Sequence, residues 1–405
     1  MVKIQYRSWK YAGFFALAII CGVINGLYPS EFGMDAARFI SNVFIKLFKF
    51  ISVPIIGITI STTISKIGSQ KSQGFLWKRT LFYTLTTTIL SATVAAIMYC
   101  IIAPKNIITN EVVAKSGIEN KSGYLTYLEN VVPSNIVSPI LEGNVLSVLL
   151  IAIVVGIAIV NIKNNDNRTM VCNLLDSIQE VAFYIVKFII RLLPIGIFGF
   201  ITISISDLSS GVTIGGLSQY FTVVLSSNLI QGFLVLPLFM LIKRINPIRT
   251  AIKMFKALVV AFFTKSSAGT LPVTMQCAEQ NNNIHTNVSR FVLPICTTIN
   301  MNGCAAFIFI TVLYLMQNHG IEIDLLTMVL WVGIATVAAI GNAGVPMGCY
   351  FLSASLLASM NIPIELLGLI LPIYAIIDMV ETALNVWSDS TVATMVDKDY
   401  RKTIG

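Results

Sequence analysis

Residues 378–389 read DMVETALNVWSD, within the apolar run IELLGLILPIYAIIDMVETALNVWSDSTVATMV of residues 364–396. Apart from its acidic residues, that run is apolar and long enough to span the roughly 30 Å hydrocarbon core of a bilayer as a helix. At about 100° per residue, Asp378, Glu381, Thr382, Asn385 and Asp389 share an arc of about 100°, while Ile376, Val380 and Ala383 point elsewhere. An ionisable side chain inside a membrane helix is costly and marks a functional position. Three carboxylates on one stripe therefore make this helix the wall of a polar site, not a packing element.

The segments before it show the same departure from ordinary spans. Residues 251–280 place two short apolar arms, AIKMFKALVVAFF and VTMQCAEQ, around the small-residue tip TKSSAGTLP. Residues 326–360 repeat the design, with LTMVLWVGIATVAAI and MGCYFLSASLLASM around GNAGVP. Each is expected to be a helical hairpin that dips partway into the membrane. Such broken elements are tolerated at membrane depth only where they are buried in protein or line a cavity. Between the two hairpins, residues 290–316 (RFVLPICTTINMNGCAAFIFITVLYLM) are interrupted by Thr298-Ile-Asn300-Met301-Asn302-Gly303. A glycine beside two amides invites unwinding, and unwound carbonyls are hard oxygen ligands suited to a small cation.

The rest of the chain is consistent with a membrane setting. Of 405 residues, 56% are hydrophobic and 11% charged, against roughly 25% charged in soluble domains. Mean hydropathy is +0.82. Six conventional spans are expected near 11–29, 38–62, 80–103, 135–162, 178–206 and 217–242, the first read as an uncleaved span because no small-residue cleavage site follows its charged start. The net charge of +8 sits in short clusters between spans: Lys3, Arg7 and Lys10; Lys66, Lys71, Lys78 and Arg79; Lys243, Arg244, Arg249, Lys253 and Lys256. The opposite links hold Asp207 alone or, over 104–134, three lysines against three glutamates. That asymmetry orients a membrane protein with a cytoplasmic N-terminus, and argues against a nucleic-acid partner. Lys46, Lys49, Lys187 and Arg191 are expected to snorkel to an interface.

Seven cysteines, Cys21, Cys100, Cys172, Cys277, Cys296, Cys304 and Cys349, are scattered without a CxxC pair and read as small core residues, not disulfides or metal ligands. The two histidines, His285 and His319, fall in polar links and read as solvated.

Four motifs in this order, TKSSAGTLPVT, TINMNGCA, GNAGVP and DMVETALNVWSD, resemble those of the dicarboxylate/amino acid:cation symporters, the glutamate transporter family. The resemblance covers the whole chain, and implies an all-α polytopic membrane protein. Its fold would be eight transmembrane helices plus two re-entrant helical hairpins, assembled as a homotrimer that works as an elevator, without enzymatic activity. The implied organisation is a scaffold of spans 1–2 (1–78) and 4–5 with the preceding extracytoplasmic loop (104–206). A transport unit would comprise span 3 (79–103) and residues 207–405, with hairpin 1 about 250–285, span 7 about 288–317, hairpin 2 about 324–364 and span 8 about 366–396.

Matched motif by motif, the resemblance implies a substrate site of Ser266, Ser267, Cys304, Val345, Asp378, Glu381, Thr382 and Asn385. Asp378 would hold the substrate ammonium; Asn385 and the backbone at Ser267 would hold its carboxylate. Sodium, the implied coupling ion, would bind Asp389 with carbonyls near Cys296, Asn300 and Asn385, and a second site at Thr298, Met301 and the carbonyls from Ala339 and Ile340 to Asn342. Tyr83, Thr86 and Thr87 with Asn300 match a third site. There the motif aspartate is Asn302, a neutral amide, which puts that site in doubt and implies weaker coupling. The arginine that clamps acidic substrates is Glu381 here, as in the sodium/serine-threonine branch.

The reading is therefore sodium-coupled symport of a small neutral amino acid across the inner, cytoplasmic membrane, with both termini cytoplasmic. Symport of acidic amino acids or C4-dicarboxylates, with Lys265 replacing the missing arginine, is the alternative. An anion channel would lack concentrative uptake, and an intramembrane enzyme lacks a nucleophile with a water-activating partner.

Overall fold

The computed structural model describes residues 14, 17–69, 74–107, 132–142, 145–209, 215–340, 342, 347–360, 362–363 and 365–404, and every regular element among them is helical. In chain order they are α1 (Leu17–Leu27), α2 (Glu31–Ser69), α3 (Gly74–Ile102), the short α4 (Ser138–Glu142), α5 (Val145–Val160), α6 (Asn165–Ser209) and α7 (Gly215–Ile230). A π-helical turn, Gln231–Val235, joins α7 to α8 (Leu236–Ile242). Then follow α9 (Pro247–Thr264), α10 (Ser267–Gln276), α11 (Thr286–Ile299), α12 (Asn302–Asn318), α13 (Leu325–Ile340), α14 (Gly348–Ser359) and α15 (Glu365–Ile404). Among the described residues three stretches are long and apolar enough to cross a membrane by length and composition: Gly74–Ile102, Gly216–Ile242 and Thr286–Asn318.

Several helices outrun the apolar windows read from the sequence. α6 begins at Asn165, ahead of the expected 178, with Asn164 accepting the N–H groups of Asp166 and Asn167 at 2.9 and 3.2 Å as an N-cap. α15 continues to Ile404, past the expected 396. A hydropathy window ends where charge begins, whereas a helix ends only where its backbone loses its partners.

Packing sorts the helices into two groups. α2 lies against α5 and α6, and large apolar side chains of α1, α2, α5 and α6 such as Phe32, Phe39, Val154 and Tyr184 face outward. Among the snorkelling candidates, Lys46 and Arg191 are exposed, and the side chains of Lys49 and Lys187 lie outside the description. The second group surrounds α12, which is buried along nearly its whole length and touches α3, α7, α13, α14 and α15. An all-round buried apolar helix is the axis of a core, not a lipid-facing span.

Polar ties close this second group at both ends of α12's direction. At one end, Asn318 Oδ1 accepts the Ile107 N–H at 2.7 Å and Gln317 Nε2 donates to the Pro104 carbonyl at 2.8 Å. At the other, the Tyr83 hydroxyl donates to Asp399, which also takes Lys243 Nζ at 2.9 Å and has Arg79 at 3.7 Å. His285, read as a solvated residue, is exposed but caps α11: its ring Nδ1 accepts the Asn287 N–H at 3.2 Å, and its own N–H reaches Asp397 at 2.8 Å.

Burial pushes the Asp399 carboxyl up, but the hydrogen bonds from Tyr83 and Lys243 and the charges of Lys243 and Arg79 outweigh it and hold the group below its ordinary value. A depressed native value contributes stability in full above the ordinary carboxyl value of about 3.9 and loses it as pH falls through the native value. Asp399→Asn is accordingly expected to lower the melting temperature of the detergent-solubilised protein throughout pH 5 to 8, the gap from wild type closing only in more acidic buffer. A gap already closed at pH 5 would show that the tie contributes nothing.

Candidate functional site

The site forms where four helix ends meet the polar stripe of α15. Thr264 ends α9, and Lys265 takes the left-handed conformation at φ 55°, its N–H closing on the Ala261 carbonyl at 3.0 Å. Ser266 then caps α10, accepting the Gly269 N–H at 3.0 Å, so that Ser267 opens a helix at the tip of the first hairpin. On the second hairpin Met347 is also left-handed, at φ 62°, and its N–H donates to Asp378 at 3.3 Å where α14 begins. Helix N-termini carry unpaired N–H groups and a partial positive charge, which favours anionic groups nearby.

Between the hairpins the helix breaks as the sequence suggests. Asn300 (φ −97°, ψ 61°) and Met301 (φ −99°, ψ 68°) leave the helical region, separating α11 from α12. The last carbonyls of α11 and first N–H groups of α12 thereby lose intrahelical partners. Gly303 N–H finds Asn385 Oδ1 at 2.9 Å.

A small cavity gathers Lys265, Ser267, Cys304, Asn342, Asp378, Glu381, Thr382 and Asn385. Six of the eight expected substrate residues thus line it: Ser267, Cys304, Asp378, Glu381, Thr382 and Asn385. Ser266 stands behind them as the cap of α10, and Val345 lies outside the described residues. Glu381 is 1% exposed; one carboxylate oxygen takes the Tyr374 hydroxyl at 3.4 Å and the other, Oε1, has no hydrogen-bond partner. Among the described residues no hydrogen bond or ion pair joins it to Lys265. The Thr382 hydroxyl turns back to the Asp378 carbonyl at 2.7 Å, and Asn385 Nδ2 reaches Cys304 Sγ at 3.4 Å.

Deeper along the stripe lies Asp389, 1% exposed, accepting Asn300 Nδ2 at 3.0 Å with no basic side chain paired to it among the described residues. Asn302 Nδ2 donates to Asn300 Oδ1 at 3.0 Å and Ser388 Oγ at 2.9 Å, and Thr87 donates to Asn300 Oδ1 at 3.0 Å. These residues are brought together with Cys296, whose backbone carbonyl accepts the Asn300 N–H at 2.8 Å. Thr298 spends its hydroxyl on the Ile295 carbonyl at 2.8 Å. Met301 and Ala339 are buried, Ile340 is partly buried, and the Ala339 carbonyl accepts the Asn342 N–H at 3.1 Å. Two of the third-site candidates are not brought in. The Tyr83 hydroxyl goes to Asp399, and the Thr86 hydroxyl stays on its own helix at the Phe82 carbonyl, 2.7 Å away.

Three features escape a reading by motif. Gln231, wholly buried in the π-turn, donates through Nε2 to Asn302 Oδ1 at 2.6 Å and to the Thr87 carbonyl at 3.0 Å. A glutamine beside a glycine in the run SSNLIQGFLV, one turn after Asn228, is the sequence signal for it. Ser91 anchors the Asn302 carbonyl at 2.7 Å. Cys304 and Cys349, read as separate core residues, are joined as a disulfide, with Cα atoms 5.4 Å apart, because the first turns of α12 and α14 meet there. Cys21, Cys100, Cys172, Cys277 and Cys296 remain free.

The sequence model of the sodium:dicarboxylate symporter family matches residues 14–399. The chain is 28% identical to the neutral amino acid transporter B(0) of Homo sapiens over 438 residues, covering 96% of this chain and 80% of that protein. It is 31% identical to the excitatory amino acid transporter 3 of Mus musculus over 262 residues, 64% of this chain and 50% of the relative. A putative sodium-dependent excitatory amino acid transporter, glt-4 of Caenorhabditis elegans, is 32% identical over 66% of this chain and 53% of its own length.

The contact between the break and α15 is testable by one methyl group. A Cβ on Gly303 would lie 2.8 Å from Glu381 Cα and 3.0 Å from its carbonyl oxygen, backbone that cannot rotate away. Gly303→Ala is expected to cost about 1–3 kcal/mol as overpacking, read as a lower melting temperature. An unchanged melting temperature would mean that the two helices separate freely at this point.

Proposed function

The chain belongs to the sodium:dicarboxylate symporter family, and from that premise we propose that it is a sodium-coupled symporter of a small neutral amino acid, serine or threonine, in the cytoplasmic membrane. The observation that carries the choice of substrate is the charge of the cavity lining. Counted by formal charge, Lys265 contributes +1 and Asp378 and Glu381 each −1, a sum of −1 before any substrate enters. A zwitterion leaves that sum unchanged, its ammonium on Asp378 and its carboxylate at the Ser267 helix end and Asn385. An acidic substrate would bring its extra carboxylate against Glu381, where two like charges 4 Å apart repel by about 4 kcal/mol at an effective dielectric of 20. The free oxygen of Glu381 instead suits a substrate hydroxyl, which donates to it. The neutral amino acid transporters among the relatives support the same choice.

Lys265 favours a second reading. It lines the cavity without an ion pair to Glu381, so it is available to hold a second substrate carboxylate in an acidic amino acid or C4-dicarboxylate. Uptake of labelled amino acids into proteoliposomes, with sodium, potassium and proton gradients imposed separately, separates the readings. Serine or threonine uptake driven by sodium alone is expected; uptake of aspartate that serine fails to compete would overturn the neutral reading.

Two sodium ions are the coupling we favour. Asp389 with carbonyls near Cys296, Asn300 and Asn385 supplies one site, and Thr298, Met301 and the carbonyls of Ala339 to Asn342 the other. At the third position the Asn302 amide places a donor N–H toward Asn300 and Ser388, where a cation would need acceptors, and Gln231 satisfies its carbonyl. The group of helices around α12 would be the transport unit (79–103 and 207–405), moving as an elevator against a scaffold of 1–78 and 104–206. Eight spans with two re-entrant hairpins, a homotrimer and cytoplasmic termini complete the proposal.

Two substitutions probe these assignments. Asp389→Asn removes the formal charge of the first ion site and is expected to move the sodium dependence of substrate binding to higher concentration by tenfold or more, that is, by about 1.4 kcal/mol. An unchanged titration would place the ion elsewhere. Glu381→Arg reverses the specificity charge, so it is expected to abolish serine transport and let unlabelled aspartate compete. Equal competition by aspartate in wild type and variant would show that Glu381 does not face the substrate.

A further inference from the structure

We propose that, in the reduced chain, Cys304, Cys349 and Glu381 form a binding site for a thiophilic divalent cation such as Zn²⁺ or Cd²⁺, which pins the second hairpin to α12 and α15. The sulfurs of Cys304 and Cys349 and a Glu381 carboxylate oxygen all lie within 4.8 Å of one another. All three residues are at most 2% exposed, and they come from three different elements, α12, α14 and α15. Two observations beyond this clustering point to a ligand. Glu381 Oε1 is buried without a hydrogen-bond partner, an arrangement that costs free energy until something fills it. The sulfurs in turn are approached by amide donors: Asn342 Nδ2 lies 2.9 Å from Cys304 Sγ and 3.4 Å from Cys349 Sγ, and Asn385 Nδ2 lies 3.4 Å from Cys304 Sγ. In this structure the sulfurs are joined to each other; once reduction frees them, donors so placed would stabilise thiolate, the form that binds metal.

The chemistry selects the ion. Two thiolates and one carboxylate are a soft set with a single hard oxygen, which suits Zn²⁺ or Cd²⁺ and not Na⁺, Mg²⁺ or Ca²⁺. Three protein ligands leave a fourth tetrahedral position for water. Binding releases the two thiol protons to solvent as two metal–sulfur bonds form, and no electrons move. The ion would take up a carboxylate oxygen of Glu381, which lines the cavity, so bound metal and substrate would exclude each other. That it halts transport rests on the symport reading above, whereas the binding itself does not.

The test uses the full chain, purified in detergent with a phosphine reductant, and Cd²⁺ as the probe. Wild type is expected to show one cadmium–thiolate ultraviolet band per chain. The band should be lost in Cys304→Ser and in Cys349→Ser, weakened in Glu381→Gln, and retained in Cys277→Ser, whose thiol lies in a different buried cluster. Cadmium should also raise the melting temperature of wild type but not of either serine variant, and each variant should still melt cooperatively near wild type in the absence of cadmium, which guards against reading misfolding as lost binding. A band that persists in the Cys304→Ser/Cys349→Ser double variant would overturn the site. So would mass spectrometry showing these two residues still joined after reduction. If the band behaves as expected while cadmium leaves sodium-driven serine uptake untouched, the site stands and the transport assignment of the cavity falls.

Discussion

A carboxylate buried without a cationic side chain is the constraint around which this molecule is organised. Asp389 sits at 1% exposure with an amide from Asn300 as its hydrogen-bonding neighbour and no lysine or arginine paired to it among the described residues. Removing an ion from water costs several kcal/mol even after the protein relaxes, so such a group persists only where a mobile cation or a dense set of dipoles compensates it. The interruption at Asn300 and Met301 supplies those dipoles, because it leaves carbonyls of one half-helix and N–H groups of the next unpaired at the same depth. The break in turn needs shielding from lipid. The first hairpin covers α11 on one side of the break, and α3, α7, the second hairpin and α15 enclose α12 on the other, which is why α12 is buried on every side.

Most of this arrangement was legible because it violates the usual rules for a membrane span. Carboxylates on one stripe, glycine and asparagine in mid-helix, and serine- or proline-rich tips between short apolar arms each carry a cost, and costly residues announce function. What stayed hidden lies within the rules. Gln231 makes two of the network's bonds, yet a single amide in an apolar span resembles any packing residue until its π-turn is seen. Tyr83 and Thr87 are one helical turn apart and match one motif, but the first serves the tie to Asp399 and the second the break. Sequence spacing fixes which face a side chain occupies and not how far along the helix its hydroxyl reaches. Cys304 and Cys349 are 45 residues apart in sequence, and only the meeting of two helix N-termini makes them neighbours.

The same economy of dipoles explains the shape of the cavity. Its wall combines one ammonium, two carboxylates, two amides and a helix end, the complement that the proposed zwitterionic substrate would need at its two ends. At each hairpin tip a left-handed residue, Lys265 or Met347, precedes a fresh helix and leaves its first backbone N–H groups directed at the polar stripe, that of Met347 reaching Asp378.

The tie between Tyr83 and Asp399 joins residues 316 positions apart in the chain. At a synthesis rate of about 5–20 residues per second, roughly 15–60 s pass between the emergence of the first partner and the second. During that interval α3 resides in the bilayer without the later partners of Tyr83, Thr87 and Ser91, and for most of it the helix destined for the centre of the core has not yet been made. The biogenesis of this molecule is thus a waiting problem, in which an early polar helix must be kept from wrong partners until the last forty residues arrive. A truncation that removes only the last turns of α15, Asp399 among them, would leave the earlier helices inserted but without the group that closes their bundle, and so open to quality-control proteases.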